Sequence, residues 1–407
     1  MEKDGPYGLV NGARLVVLWL KMHMKGRNMK FIHLSDLHIG KRVNGFSVLE
    51  DQKYILDQIL MIAEEEMPDG VLIAGDVYDR SVPPAEAVDL FNEIVYEICD
   101  KRKIPMIVIS GNHDSAERLS FASHLLRKQG LYICGELGIT TSPIVLKDTW
   151  GDVIFVPLPY AEPSVIRHYL QCDAIRDHDS AERALSESIL ATLPQHSRKI
   201  AIAHEYVAGG LASDSERPLD IGGTEQIQAD IFKDYNYTAL GHLHAPQKAG
   251  SDVIRYSGSL LKYSFSEVKQ KKGIIVGEIN GEGQVTTRFI PLKPRHNVRI
   301  ITGTFAELMQ QEDLYNDDFI RADLMDENPV IDAMARLRTR YPHIMALTSR
   351  RLTKEDSGER HLDLHKKVSE LDMIEIFMEE FRNRKLNDEE KKYIQHILEE
   401  IKEEATQ

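Results

Sequence analysis

The chain has 407 residues and a formal net charge of −14, which argues against a protein coated in non-specific nucleic-acid affinity. It does not exclude a nuclease, because metals and local basic loops can hold a polyanion on an acidic protein. With 42% apolar residues the chain can build real cores in two or three domains. Its three cysteines, Cys99, Cys134 and Cys172, are odd in number and widely spaced, which points to a reducing, cytoplasmic setting without a disulfide framework; the lack of a Cys-x-x-Cys argues against thiolate zinc, and no membrane partner is expected.

Residues 1–28 do not conform to the rest. The apolar run Leu15 to Leu20 is too short to span a bilayer, and the acidic start is wrong for a secretory signal. The sequence points to Met29 as the functional start and to a dispensable extension before it; an extra strand or clip is the alternative.

From Met29 onward, strands and helices alternate. Phe31 to Leu34 reads as a strand ending in Ser35-Asp36-Leu37-His38, and Leu49 to Ala63 has helical spacing. Val71 to Ala74 is a short apolar run ending in Gly75-Asp76-Val77-Tyr78-Asp79-Arg80, the pattern of a buried parallel strand. A helix is predicted over Ala85 to Cys99, with Val88, Phe91, Ile94, Val95 and Ile98 on one side. The β-branched run Ile104 to Ile109 breaks at Ser110-Gly111-Asn112-His113-Asp114, and a helix follows over about Ala116 to Lys128. Next come a strand at Val153 to Val156, helices near Pro163 to Leu170 and Ala181 to Leu193, and a strand at Ile200 to Ala203 ending at His204. Ala208 to Thr224 reads as a long loop. Tyr237 to Leu240 ends in Gly241-His242-Leu243-His244, and strand-like runs cover Ile254 to Leu261, Gly273 to Ile279 and Val285 to Leu292.

This pattern predicts an α/β fold: a two-sheet sandwich flanked by helices over residues 29–292. A linker near Pro291 to Arg295 leads to a small α+β capping domain over 296–348. Its expected elements are strands at Val298 to Ile301, Phe319 to Leu324 and Ile344 to Leu347 and helices at Ala306 to Gln311 and Val330 to Tyr341. Residues 349–368 read as a charged tether. Residues 369–404 read as an amphipathic helix pair for partner binding, with a capping-box start at Asn387 and Glu390.

Five strand tips carry polar ligands: Asp36 and His38; Asp76 and Asp79; Asn112, His113 and Asp114; His204; His242 and His244. Any one is weak evidence. Together, without a cation, they would bury several imidazoles and carboxylates at a cost of several kcal/mol per ion. Carboxylate, imidazole and amide without thiolate suit manganese, iron or zinc at a two-metal hydrolytic site, and magnesium less well. Asp76 has two oxygens with which to bridge two cations. His113 follows a ligand and can face the substrate, where a protonated imidazole donates to a leaving alkoxide; Asp114 or Asp79 could hold its tautomer.

In order, these motifs resemble those of the calcineurin-like metallophosphoesterases. The wider sequence is similar to the branch of bacterial SbcD-type nuclease subunits: Phe31 to Lys41, Leu49-Glu50-Asp51-Gln52, Ser257-Gly258-Ser259 with Phe265-Ser266-Glu267, and Asp332 to Leu337. The resemblance implies that Asp36, His38 and His244 hold one metal, that Asn112, His204 and His242 hold the other, that Asp76 bridges, and that His113 is the catalytic acid. It implies two divalent cations, manganese favoured, and a DNA exonuclease and endonuclease working with an SbcC-type coiled-coil ATPase as a homodimer within a heterotetramer. Asp79 departs from relatives that carry His there, and Glu205 departs after the ligand His204. Lys41, Arg42, Arg80 and Arg118 are candidates for DNA phosphates. The competing readings are a stand-alone phosphatase or cyclic-nucleotide phosphodiesterase, and a DNA-binding scaffold with a vestigial metal site.

Overall fold

The structure, a computed structural model, describes residues 26–138, 141–216, 225–310, 317–349, 386–387, 390–395 and 397. The chain divides into compact units at residues 1–350 and 351–407. Within the first unit, two six-stranded sheets stack face to face. The first runs, in spatial order, Val285–Pro291, Gly273–Ile279, Met29–Leu34 (β1), Gly70–Ala74 (β2), Met106–Ile109 (β3) and Leu131–Cys134. The second runs Gln247–Ala249, Ser251–Tyr256, Tyr237–Gly241 (β4), Arg198–His204 (β5), Gly151–Leu158 and Ile144–Asp148.

Period-two alternation decides which side chains meet. Phe31, Leu72, Ala74, Ile107 and Ile109 of the first sheet face Phe155, Ile200, Ile202, Tyr237 and Ala239 of the second in one dry layer. Their neighbours Ile32, Leu34, Val71, Ile73 and Val108 turn outward onto helices, where Ile55, Ile59, Phe91 and Ile94 cover them. Both faces are therefore buried, which is why these strands read as continuous apolar runs. His33 is held inside by the Tyr237 hydroxyl at 3.0 Å and the Leu240 carbonyl at 3.1 Å, and burial lowers its pKa to about 3. It is a neutral structural histidine.

Helix α1, Leu49–Glu66, packs Ile55, Leu56, Ile59 and Ala63 inward and ends where Met67 turns left-handed at φ 47°. Helix α2, Ala85–Val95, continues as a wider turn over Tyr96–Lys101. Val88, expected on its inner side, is 42% exposed; Ala87 and Leu90 are buried in its place. The single helix expected over 116–128 is two short ones, Ala116–Leu119 and Ser123–Leu126, because Ala122 takes φ 59° between them. The strand expected to reach Leu261 ends at Tyr256. Ser257 and Ser259 then turn inward to donate to Ser35 Oγ and the Leu261 carbonyl, which breaks the ladder.

A three-stranded parallel sheet of Val298–Gly303, Phe319–Leu324 and Ile344–Ser349 follows, with helices Phe305–Gln310 and Ala333–Arg338. The second of these helices is shorter than expected. The element has its own core of Phe305, Leu308, Ile320, Leu324, Leu337, Tyr341 and Ile344. The expected extension, apart from 26–28, and the tether after 349 lie outside the described residues, as does most of the terminal helix pair. The described part of that pair includes a reciprocal cap, with the Asn387 N–H on Glu390 Oε2 at 3.0 Å and the Glu390 N–H on Asn387 Oδ1 at 2.9 Å. Among the described residues, no helix is long and apolar enough to cross a membrane.

Candidate metal centre

The parallel register brings the strand tips level. Leu34 of β1 lies opposite Ile73 of β2, Ala74 of β2 opposite Ile109 of β3, and His204 of β5 opposite Gly241 of β4. Each ligand-bearing loop therefore begins at the same edge, where open α/β sheets place their chemistry. The chain turns sharply there. Asp36, His38 and Asp76 take left-handed φ of 51°, 45° and 50°, conformations that non-glycine residues hold only when their surroundings impose them. Gly75 precedes Asp76 at φ 83°, and a side chain there would collide with the His204 ring.

The side chains converge. Asp36, His38 and His244 form one group that could hold a cation, and Asp36, Asp76 and His204 form another; His38, Asp76 and His113 form a third. His38 Nε2 and His244 Nε2 are 3.0 Å apart, and His38 Nε2 is 3.5 Å from Asp76 Oδ2. His204 Nε2 lies 3.4 Å from the same Asp76 oxygen and 3.2 Å from Asn112 Oδ1. The His242 ring stands edge-on to His204 at 5.4 Å between centroids. Buried imidazole nitrogens and carboxylate oxygens aimed at common points fit divalent cations bound by nitrogen and oxygen.

The electrostatics reflect this crowding. Burial pushes Asp76 upward, but the imidazoles of His204, His38 and His113 outweigh it and hold the carboxyl well below its usual range. Burial pushes His204 down, but the carboxylates of Asp76 and Asp36 outweigh it and raise it to about 10; a cation bound at Nε2 would displace that proton. Burial, with His204 beside it, lowers His242 to about 3, so that ring is neutral and able to ligate.

Supporting bonds fix the ligands from behind. His204 Nδ1 bonds the Ala74 carbonyl at 2.8 Å. His244 Nδ1 lies 2.6 Å from Ser215 Oγ and 3.4 Å from Glu267 Oε1, while the main-chain N–H of His244 donates to Glu216 Oε1 at 2.6 Å. Lys272 Nζ pairs with Glu267 Oε2 at 2.6 Å and donates to the His244 carbonyl at 2.8 Å. Gln52 Nε2 donates to the His38 carbonyl at 2.7 Å and the Leu37 carbonyl at 3.1 Å. None of these supports was singled out in the sequence as a functional residue. Glu267 and Gln52 lay in stretches noted only for likeness, and Ser215 and Glu216 in a stretch read as a connecting loop.

His113 stands with its ring edge-on to His38 at 4.8 Å between centroids, and its N–H donates to Asp76 Oδ1 at 2.9 Å. Its Nδ1 is held by the main-chain carbonyl of Asp79 at 2.9 Å. This corrects the expectation that a carboxylate of Asp79 or Asp114 performs that role. The Asp114 carboxylate instead accepts the N–H groups of Val77, Tyr78 and Gly111 at 3.0–3.1 Å, pinning two loops together. Burial, with the Asp76 charge nearby, raises its pKa to about 7. The Asp79 carboxylate accepts from Lys41 Nζ at 2.7 Å. Arg42, Arg80 and Arg118 are exposed beyond the strand tips: Arg42 in a two-residue strand, Arg80 in the loop after Asp79, and Arg118 in the short helix Ala116–Leu119.

A two-sheet α/β sandwich with this cluster at its strand tips defines a metal-dependent phosphoester hydrolase. Residues 29–246, just over half of the chain, match the calcineurin-like phosphoesterase family, and the chain belongs to that family, whose members use two divalent metals. Residues 294–385 match the SbcD_C family, described as the type 5 capsule protein repressor C-terminal domain. A phosphoesterase domain followed by this second domain agrees with the SbcD-type resemblance in the sequence. Among solved structures, the chain is similar to TT1561 of Thermus thermophilus at 11% identity and a TM-score of 0.36, covering 65% of this chain and 99% of that one. It is also similar to a dimetal phosphatase from Danio rerio at 12% identity and a TM-score of 0.36, covering 64% and 99%.

Proposed function

We propose that this chain is a two-metal DNA nuclease of the SbcD type, hydrolysing phosphodiesters at DNA ends and hairpins. It would be an exonuclease on double-stranded and an endonuclease on single-stranded DNA, serving repair, replication and recombination with an SbcC-type ATPase. The observation that carries the reading is the convergence of Asp36, His38, Asp76, Asn112, His204, His242 and His244 at one edge of the sandwich, with His113 beside them. Asp36, His38 and His244 would hold one cation and Asn112, His204 and His242 the other, with Asp76 shared; manganese suits the donor set best. When bound, the cations supply an activated water and neutralise charge on the phosphate oxygens.

The remaining chemistry belongs to the chain. His113, its Nδ1 proton directed to the Asp79 carbonyl, presents Nε2 and, when protonated, donates to the leaving oxygen. Lys41, Arg42, Arg80 and Arg118 would hold flanking phosphates. Residues 29–292 would be the nuclease domain, 296–348 the capping domain, and 369–404 the ATPase-binding segment joined by a tether at 349–368. Phe121 at 82% and Leu125 at 72% exposure support a homodimer through the short helices beyond β3. The test is cleavage of a labelled DNA hairpin against p-nitrophenyl and cyclic-nucleotide phosphodiesters, with manganese present. Preference for the hairpin supports the reading; turnover of the small esters alone refutes it.

A further inference from the structure

Three imidazoles turn Nε2 toward the centre, and two of them have the other nitrogen occupied: His204 by the Ala74 carbonyl, His244 by Ser215 and Glu267. His38 does not. Its Nδ1 is buried without a hydrogen-bond partner. A neutral imidazole that offers Nε2 to a cation carries its proton on Nδ1, and a buried N–H without an acceptor is unfavourable. The missing acceptor is close by. Asp79 Oδ1 is 3.8 Å from His38 Nδ1, beyond a hydrogen bond by about the length of a small side-chain rotation.

What holds that oxygen back is Lys41, whose Nζ binds it at 2.7 Å and lies 5.4 Å from the centre of the Tyr263 ring. The Lys41 and Asp79 side chains are 13% and 16% exposed, whereas that of His38 is 1% exposed, so the ion pair sits on the open side of the ring. Asp79 is anchored by its main chain, whose N–H meets the Ile39 carbonyl at 3.3 Å and whose carbonyl holds His113. Its side chain, paired with Lys41 and 4.0 Å from the exposed Arg80 Nη2 through its other oxygen, is therefore the part that can swing.

We propose that Lys41 and Asp79 form a substrate-operated clamp on His38. A bound phosphodiester draws Lys41 off Asp79, and the freed carboxylate, repelled by the same phosphate, closes on His38 Nδ1 and fixes that ring toward its cation. Asp79 is then a positioning residue, and substrate and metal bind cooperatively, each tightening the other by the same factor. The substrate half of this inference rests on the nuclease reading; the contact of Asp79 with His38 does not.

The experiment is a manganese titration of the full-length chain, followed by calorimetry and by the manganese spin-resonance signal, with and without a phosphorothioate hairpin whose own binding is read by anisotropy. In the wild type the hairpin should tighten one manganese site by about 10-fold or more, the scale on which carboxylate partners of metal-bound histidines act. Lys41→Met should be tight already, with little further gain from DNA. Asp79→Asn should stay weak in both conditions. The double variant should resemble Asp79→Asn, which separates release of the carboxylate from the loss of a positive charge. Equal effects of Lys41→Met in the wild-type and Asp79→Asn backgrounds would overturn the clamp, as would DNA-driven tightening that survives in Asp79→Asn. If the hairpin does not bind the wild type at all, the nuclease reading and the substrate trigger fail. The contrast between Lys41→Met and Asp79→Asn without DNA still decides the contact with His38.

Discussion

Asp36 Oδ1 accepts the main-chain N–H of His242 at 2.9 Å, joining residues 206 positions apart in loops that follow strands of different sheets. Asp76 Oδ1 does the same within the first sheet by accepting the N–H of His113 at 2.9 Å. In Asp76 one carboxylate oxygen is thus committed to the fold while the other, 3.4 Å from His204 Nε2 and 3.5 Å from His38 Nε2, faces the centre. The bonds that close the end of the sandwich also aim the ligands.

Asp76→Asn should lose bound metal and cleavage together. The amide can keep the hydrogen bond from His113, but it brings no negative charge to two dications and bridges them poorly. Metal content by elemental analysis, alongside the hairpin cleavage rate, checks this. Two manganese ions per chain in the variant would refute the bridging role.

A second prediction concerns the far end of the sheets. Asp148 and Arg198 pair bidentately at 2.7 Å, with side chains 4% and 8% exposed, and Asp148 also accepts the N–H of Met29 at 3.0 Å. Burial raises the Asp148 carboxyl, but Arg198 outweighs this and holds it below its usual range. A depressed folded-state pKa contributes stability above the unfolded value near 4, and loses it as the pH falls through the folded value. Asp148→Asn should therefore cost about 3–5 kcal/mol at pH 7, the cost of stranding a buried partner. The gap from the wild type should narrow as the pH falls below about 4. Urea unfolding at both pH values measures it.

Glu267 illustrates what was hard to read from sequence. The strand tips and their ligands were legible because each follows an apolar run and the residue types are costly to bury without cations. The supports were not legible. Glu267 reaches His244 and Lys272 only after a turn at Phe265–Glu267 brings it beneath the loop, and Ser215 arrives from a stretch whose composition signals only a connection. Leu131–Cys134 and the edge strand Ile144–Asp148 were missed because a four-residue apolar run and a half-exposed alternation give little periodic signal. The break at Ala122 carries no glycine or proline to announce it.

Glu267→Gln should destabilise the chain by about 3–5 kcal/mol, because it leaves the buried Lys272 ammonium without its carboxylate. Adding Lys272→Met should recover part of the loss. Denaturant midpoints of the two variants check this; a single variant as stable as the wild type would show that the pair contributes nothing.

Deletion of residues 369–407 should leave manganese-dependent cleavage of single-stranded DNA nearly unchanged. Co-purification with an SbcC-type ATPase and any stimulation by ATP should be abolished. Wild-type affinity for the ATPase in the truncated chain would remove the partner-binding role from this segment.

The division of labour between holding cations and moving a proton is tested most directly by His113→Gln. Metal content and hairpin cleavage are measured on one preparation. Two manganese ions per chain should remain, with cleavage down by about 100- to 10,000-fold, the scale of general acid catalysis. Loss of metal in step with activity would contradict the assignment and make His113 part of the metal site itself.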